Sequence, residues 1–114
     1  MEHQRKLPAD PLVFIQDCLR RRRVLWTYHV NMRLHGRHVT RREILEAMDH
    51  YEIIEAYPQD KYLPSYLALA KHGGSAFHVL FATDVENDNV RVVTAYRPDP
   101  KEWEPNLRTR RKIT

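Results

Sequence analysis

Apolar residues in the first fifth of the chain recur with helical spacing. Asp10 is a suitable N-cap acceptor, and Pro11 fits the first helical position because no N–H is needed there. The pattern therefore predicts an amphipathic helix from Asp10 to Arg22. Its apolar face consists of Leu12, Ile15, Cys18 and Leu19.

The next part of the chain predicts a short strand and two further helices. Val24–Tyr28 is β-branched and aromatic, which favours a strand. His29–His35 resembles a short helix that Gly36 ends with a left-handed cap. Thr40 and Glu43 have the spacing of a capping box, which predicts the start of another helix. The apolar stripe of this helix is Ile44, Leu45 and Met48.

After Tyr51 the pattern changes from helical to extended. Four consecutive strands with short, turn-rich connections predict an antiparallel meander. Because the helices all precede it, we expect an α+β protein with N-terminal helices packed on a four- to five-stranded antiparallel sheet. The four predicted strands are Glu52–Tyr57, Ser65–Lys71, Ala76–Asp84 and Asn89–Arg97.

Strict alternation assigns the residues of the last two strands to faces. If His78 and Tyr96 meet across the strands, they form a polar pocket on the sheet. On the third predicted strand, Phe77, Val79 and Phe81 share one face, opposite His78, Leu80 and Ala82. On the fourth, Val90, Val92, Thr94 and Tyr96 share one face, opposite Arg91, Val93, Ala95 and Arg97.

A chain of 114 residues suits one domain with its own core. We expect this domain at residues 10–107, between a disordered tail at 1–9 and a basic tail at 108–114. No run approaches the roughly 18 to 20 apolar residues of a membrane helix. The single cysteine, Cys18, favours a reducing compartment. These features predict a cytoplasmic protein that is a monomer or a small homo-oligomer.

Arginine supplies fourteen of the nineteen basic residues, and the formal net charge is +4. The planar guanidinium suits bidentate contacts with phosphate, so the bias indicates a nucleic-acid partner. The alternative is that the arginines only solubilise the surface. Arg20–Arg23 likewise allow two interpretations. They cap the C-terminal end of the first helix, where the dipole favours cations, or they form a phosphate-binding patch.

His29 is a candidate for proton transfer because it lies where a predicted strand meets a helix N-terminus. The helix dipole and nearby arginines disfavour imidazolium, which leaves the ring able to accept a proton. Arg33 lies four residues later on the same helical face. The pair suits activation of an RNA 2′-hydroxyl. The structural alternative is a histidine that caps the helix or hydrogen-bonds to the sheet.

Several aromatic residues are candidates for stacking on bases, with packing as the alternative for each. Asp99-Pro100 has the form of a helix start, so Trp103 is placed to pin a terminal turn onto the sheet edge. The aromatic candidates are Tyr57, Tyr62, Tyr66, Tyr96 and Trp103.

The sequence offers no strong pattern for metal or nucleotide chemistry. His35-x-x-His38 straddles Gly36 and lacks a cysteine partner. The glycine-rich phosphate loops and the G-x-S-x-G elbow do not occur. We therefore expect neither a metal ion nor a cofactor.

Several segments combine into a pattern that resembles a known family. They are Thr27-Tyr28-His29-x-x-x-Arg33, Glu55-x-Tyr57-Pro58, Pro64-Ser65-Tyr66-Leu67-x-Leu69, the strand of His78, and Val93-Thr94-Ala95-Tyr96-x-Pro98-Asp99-Pro100-x-x-Trp103. From about Val24 to Arg111 the chain resembles the bacterial and archaeal family Domain of Unknown Function 4258. That resemblance implies a build similar to the toxin ribonucleases of the RelE and BrnT type, with helices preceding a curved antiparallel sheet.

The resemblance further implies an RNA-binding or RNA-cleaving module, with RNA and a cognate antitoxin-like acidic protein as partners. Together with the charge, it predicts a small metal-independent endoribonuclease. The alternative is a non-catalytic module that binds nucleic acid or an acidic partner protein. For the endoribonuclease, the catalytic candidates are His29, His78 and Tyr96. The substrate-binding candidates are Arg33, Tyr57, Ser65, Arg97, Trp103, Arg110 and Arg111.

Overall fold

The computed structural model describes residues 6–26 and 39–112. The predicted helix at His29–His35 and its cap at Gly36 lie outside these residues, as do most of the predicted tail at 1–9 and the last two residues. Within the described ranges the chain is α+β. Its elements are α1 (Pro11–Arg20), β1 (Val24–Trp26), α2 (Arg41–Glu46), β2 (Tyr51–Tyr57), β3 (Ser65–His72), β4 (Ser75–Asp84) and β5 (Asn89–Tyr96).

Both described helices begin at the predicted caps. The side chain of Asp10 accepts a hydrogen bond from the backbone N–H of Val13 at 3.1 Å. In α2 the capping box is complete, because the backbone N–H of Glu43 donates to Thr40 Oγ1 and the backbone N–H of Thr40 donates to Glu43 Oε1, each at 3.0 Å. α1 ends two residues earlier than predicted, since Arg22 adopts a left-handed φ of 61°.

The sheet is mixed, with strand order β1-β5-β4-β3-β2. The antiparallel meander of β2 to β5 is confirmed. The expectation of an entirely antiparallel sheet is wrong at β1, which pairs in parallel with β5 from Val24 opposite Val90 to Trp26 opposite Val92. Short turns predict hairpins between neighbours in sequence, but β1 pairs with the strand farthest from it along the chain. Its direction is therefore set by tertiary contacts.

The described helices cover one face of the sheet, and the main core lies between the helices and that face. Tyr51 lies in this core and donates a hydrogen bond from its hydroxyl to the carbonyl of Ile44 in α2 at 2.8 Å. Burial of such apolar surface supplies most of the driving force for folding. The opposite face of the sheet is called the outer face below. The core joins Ile15, Cys18, Leu19 and Ile44 from the helices to Phe77, Val79, Phe81, Val90, Val92 and Ala95 from the sheet.

Two irregularities in strand pairing decide which side chains reach the outer face. In β5, Val92 pairs with Phe81 but Thr94 pairs with Leu80, so Val93 is an extra, bulged residue. The predicted grouping of Val90 and Val92 with Thr94 and Tyr96 is therefore wrong. The bulge shifts the alternation by one residue, so that Ala95 joins the core while Thr94 and Tyr96 point outward. The predicted alternation along β4 is confirmed.

β2 contains an equivalent irregularity. Ile53 pairs with Ala68 and Glu55 pairs with Leu67, which leaves Ile54 as the extra residue. Ile53 packs against the core, and the bulge moves Glu55 onto the outer face. None of the described helices is long and apolar enough to cross a membrane.

Candidate functional site

A cleft of about 700 Å³ lies on the outer face of the sheet. Its floor is a row of paired residues across three strands, in which Leu67 pairs with Leu80 and Leu80 pairs with Thr94. The volume is within the range of about 300 to 1,000 Å³ that small-molecule sites occupy. The other lining residues are Ala56, Tyr57, Pro58, Gln59, Asp60, Tyr96 and Arg110.

His78 and Tyr96 meet beneath one end of this cleft. They are direct partners in the pairing of β4 with β5, and His78 Nδ1 lies 3.2 Å from the Tyr96 hydroxyl. His78 Nε2 lies 2.8 Å from the backbone carbonyl of Leu107. A carbonyl can only accept, so Nε2 carries the proton and donates it. Nδ1 is then left to accept from Tyr96, whose hydroxyl links the cleft to the buried imidazole.

The surroundings of this pair hold both groups neutral. Burial lowers the pKa of His78, although the Leu107 carbonyl and the negative charge of Glu55 act in the opposite direction. Burial also raises the pKa of Tyr96, while the charge of Arg110 acts to lower it. The shared proton therefore rests on the Tyr96 oxygen.

The C-terminal segment, residues 97–112, covers His78 from the outer side. The Trp103 side chain is buried, and its ring meets that of His78 edge-on with the centroids 4.4 Å apart. An isolated antiparallel bridge joins Trp103 to Arg110. The segment turns at Leu107, whose left-handed φ of 63° accompanies the carbonyl contact with His78. This conformation is costly for a residue other than glycine, so the turn is a strained point of the site.

Glu55 organises the charged rim of the cleft. Its carboxylate accepts hydrogen bonds from Arg110 Nε at 2.8 Å and Arg110 NH2 at 3.1 Å, and also from the Tyr57 hydroxyl. Burial by itself would raise the pKa of Glu55, but the hydrogen bonds from Arg110 and Tyr57 lower it below its ordinary value. The Arg110 guanidinium also lies over the Trp103 ring, 4.6 Å from its centroid. An ionised Glu55 therefore holds a cation beside Tyr96.

A profile of the domain of unknown function DUF4258 matches residues 26–97, which is more than half of the chain. The chain belongs to the DUF4258 family. The match covers the strands that carry Glu55, His78 and Tyr96. It ends before Trp103 and Arg110, so it is shorter than the resemblance drawn from the sequence. Comparisons with curated proteins and with solved structures found no significant match.

The cleft of this DUF4258 protein gathers five of the predicted site residues. Tyr57, Tyr96 and Arg110 line it, His78 packs against Tyr96, and Trp103 packs against His78. Trp103 is only 2% exposed, so its role is to pack on His78 and to support Arg110. His29 and Arg33 fall outside the described residues.

The remaining three predicted residues make other contacts. Ser65 is buried and donates to Asp60 Oδ2 at 2.6 Å, which steadies the loop at the far end of the cleft. Arg97 pairs with Glu43 of α2 at 2.7 Å. Arg111 donates to the carbonyl of Pro100 at 2.6 Å and thereby closes the C-terminal segment on itself.

The arginines at the end of α1 make contacts within the chain, and one of these contacts, from Arg22, is of the capping kind. Arg21 forms a bidentate pair with Asp88 at 2.7 and 2.8 Å. Arg22 donates to the carbonyl of Leu19 at 2.7 Å, and Arg23 donates to that of Asp88 at 3.0 Å. The contacts of Arg21 and Arg23 with Asp88 join the end of α1 to the turn before β5.

Two groups of the candidate site are not predicted from the sequence. The strand pattern assigns Glu55 no role beyond its place in β2, and a backbone group such as the Leu107 carbonyl has no side-chain signature. The signal for Glu55 is the apolar doublet Ile53-Ile54, which breaks the alternation just before it. Over residues 6–26 and 39–112, no three His, Cys, Asp or Glu side chains are grouped to hold a metal ion.

Proposed function

We propose that this DUF4258 protein binds RNA in the outer-face cleft and cleaves it with its own side chains. The observation that carries the proposal is the hydrogen-bonded series from the Tyr96 hydroxyl through His78 to the Leu107 carbonyl, which opens into the cleft beside Arg110. A hydroxyl, a neutral imidazole and an acceptor in series form an arrangement that moves protons.

In the proposed reaction, the 2′-oxygen of a nucleotide attacks the adjacent phosphorus. The proton of the 2′-hydroxyl passes to the Tyr96 oxygen as the phenolic proton passes to His78 Nδ1. The bond from phosphorus to the 5′-oxygen then breaks, and the same path returns a proton to that oxygen. The products are a 2′,3′-cyclic phosphate and a 5′-hydroxyl. The Leu107 carbonyl and Glu55 favour the imidazolium that forms transiently.

Arg110 supplies the positive charge that this reaction needs. Its guanidinium is held by Glu55 and by the Trp103 ring, so it lies beside Tyr96 before substrate binds. A donor that is already oriented stabilises developing phosphate charge without reorganisation.

The decisive test is cleavage of a mixed RNA by Tyr96→Phe in the presence of a chelator. This variant removes one hydroxyl and keeps the ring, and we expect a loss of about 100-fold or more, the scale of general acid–base catalysis. Tyr62→Phe is the matched control, because Tyr62 is 81% exposed and does not line the cleft. The cyclic phosphate is identified by mass spectrometry. Equal rates for the wild type and Tyr96→Phe contradict the proposed reaction.

A second candidate is a non-catalytic module that binds RNA or an acidic partner protein. It is favoured by the complete burial of His78, which no ligand touches without movement of the C-terminal segment. In that case RNA binding weakens steeply with salt while the RNA stays intact. If the protein binds an acidic protein and does not bind RNA, the result supports a non-catalytic module for protein binding.

A further inference from the structure

The two ends of the outer-face cleft differ in chemistry. One end holds the Arg110 cation and the Tyr96 hydroxyl. The other is the loop after β2, where Gln59 offers an exposed amide. Tyr96 is in the same cross-strand row as Leu69 of β3. Leu69 lies four residues from Ser65, or roughly 13 Å along the strand. The cleft therefore has room for an anion at one end and a flat polar group at the other.

The middle of the cleft is apolar. Leu67 and Leu80 form its floor, and Ala56 and Tyr57 stand on the β2 side. Tyr57 is 40% exposed, and its hydroxyl is held by Glu55, so the ring is presented in one orientation. An apolar floor beside an oriented aromatic ring suits a planar heterocycle better than a bare sugar phosphate.

We propose that the cleft holds the base of a nucleotide next to the scissile phosphate and that Gln59 determines which base is accepted. This inference rests on the proposed function, because it assumes that the ligand of the cleft is RNA. The base stacks on Tyr57 over the leucine floor, and its phosphate lies at Arg110. Gln59 and the base edge meet at the loop end of the cleft.

The chemistry of Gln59 points to one base in particular. A side-chain amide presents a donor and an acceptor side by side, which matches the N6 donor and N7 acceptor of adenine. The neighbouring Asp60 is positioned by the Ser65 hydroxyl at 2.6 Å, and its backbone N–H donates to the carbonyl of Tyr57 at 3.1 Å. These bonds fix the loop, so Gln59 is carried by an ordered turn. We therefore expect adenine to be preferred.

The test compares dissociation constants of AMP, GMP, CMP, UMP and ribose 5-phosphate, measured by calorimetry with the full chain. We expect AMP to bind about tenfold or more tightly than ribose 5-phosphate, since base stacking on an aromatic ring is of this order. Tyr57→Leu should weaken all four nucleotides by about tenfold, while Tyr57→Phe, which keeps the ring, should retain binding.

Gln59→Ala should abolish the preference among the four nucleotides. Gln16→Ala is the matched control, because Gln16 lies on α1 and outside the cleft lining. Equal affinity for ribose 5-phosphate and AMP overturns the inference, as does a base preference that Gln59→Ala leaves unchanged. These outcomes are separate from failure of the cleavage reaction. Intact RNA together with AMP binding that depends on Tyr57 and Gln59 contradicts cleavage and supports the base site.

Discussion

Burial and two hydrogen bonds determine the protonation state of His78. The side chain has no solvent exposure, and each ring nitrogen has a partner of defined polarity. A protonated ring in this position would point a second N–H at the Tyr96 hydroxyl with little water to stabilise the charge. In the proposed reaction, His78 would therefore act through Tyr96 rather than by direct contact with the substrate.

The lowered pKa of His78 makes folding stability depend on pH. Its folded pKa lies below the ordinary value of 6.5, so the unfolded chain takes up the extra proton first as the pH falls. The contribution of His78 to the free energy of unfolding is thus complete above pH 6.5 and decreases as the pH falls below it. His78→Gln lacks this titration and should show a flatter profile.

The measurement is urea denaturation of both proteins at several pH values between 7.5 and 5. The other histidines are common to both proteins, so their contributions cancel in the difference. If the free energy of unfolding of the two proteins changes in the same way with pH, His78 has the same pKa in the folded and unfolded states. That result would contradict a buried, neutral His78.

At the scale of elements, two β-bulges create the cleft. Ile53-Ile54 and Val92-Val93 are apolar doublets in strands that otherwise alternate, and in each doublet the second residue is the extra one. Without the bulges, strict alternation would place Glu55 and Tyr96 on the core face. The bulges instead bring both residues to the outer face, where the Arg110 cation that Glu55 holds lies beside the Tyr96 hydroxyl.

The capping box of α2 allows a direct test at this scale. Thr40→Ala removes the acceptor for the N–H of Glu43 and should lower the free energy of unfolding by about 1 kcal/mol. Thr40→Ser keeps that acceptor and should stay close to the wild type. Thr109→Ala is the control, because Thr109 is exposed and its hydroxyl has only the exposed Asn106 side-chain amide as hydrogen-bond donor, at 3.2 Å. The three variants are compared by urea denaturation, and a Thr40→Ala protein as stable as the control would refute the role of the cap.

At the scale of the molecule, and among the residues that the structure describes, the C-terminal segment is the part of the chain that covers His78 on the outer face. Arg108 pairs with Glu52 and Arg110 pairs with Glu55, and both acidic residues belong to the edge strand β2. These ion pairs are partly exposed, so each contributes little by itself. Burial of the Trp103 side chain is the larger stabilising effect, and it also shields His78 from water.

Trp103→Ala should therefore destabilise the protein by about 3 to 5 kcal/mol, the usual cost of removing a buried large aromatic side chain. The control is Tyr62→Ala, which removes an aromatic side chain that is 81% exposed and should change stability by about 0.5 kcal/mol or less. Urea denaturation measures both. A Trp103→Ala protein with near wild-type stability would mean that the C-terminal segment is not part of the folded unit.

Local signals in the sequence predicted most of the elements that the structure describes. Asp10-Pro11 and Thr40-x-x-Glu43 predicted helix starts that the structure confirms, because capping depends on residues three apart. The antiparallel meander followed from short turns between alternating strands. Sequence motifs also indicate the DUF4258 family. The candidate site residues that the sequence predicts and the cleft brings together are Tyr57, His78, Tyr96, Trp103 and Arg110.

Only the tertiary structure decided how these parts combine. The parallel pairing of β1 with β5 joins residues more than sixty positions apart, and no local rule specifies it. The bulges at Ile54 and Val93 depend on cross-strand register, which alternation cannot determine. The partnership of His78 with the Leu107 carbonyl is a backbone contact without a sequence signature. Local chemistry thus specified the elements, whereas non-local packing assembled the cleft.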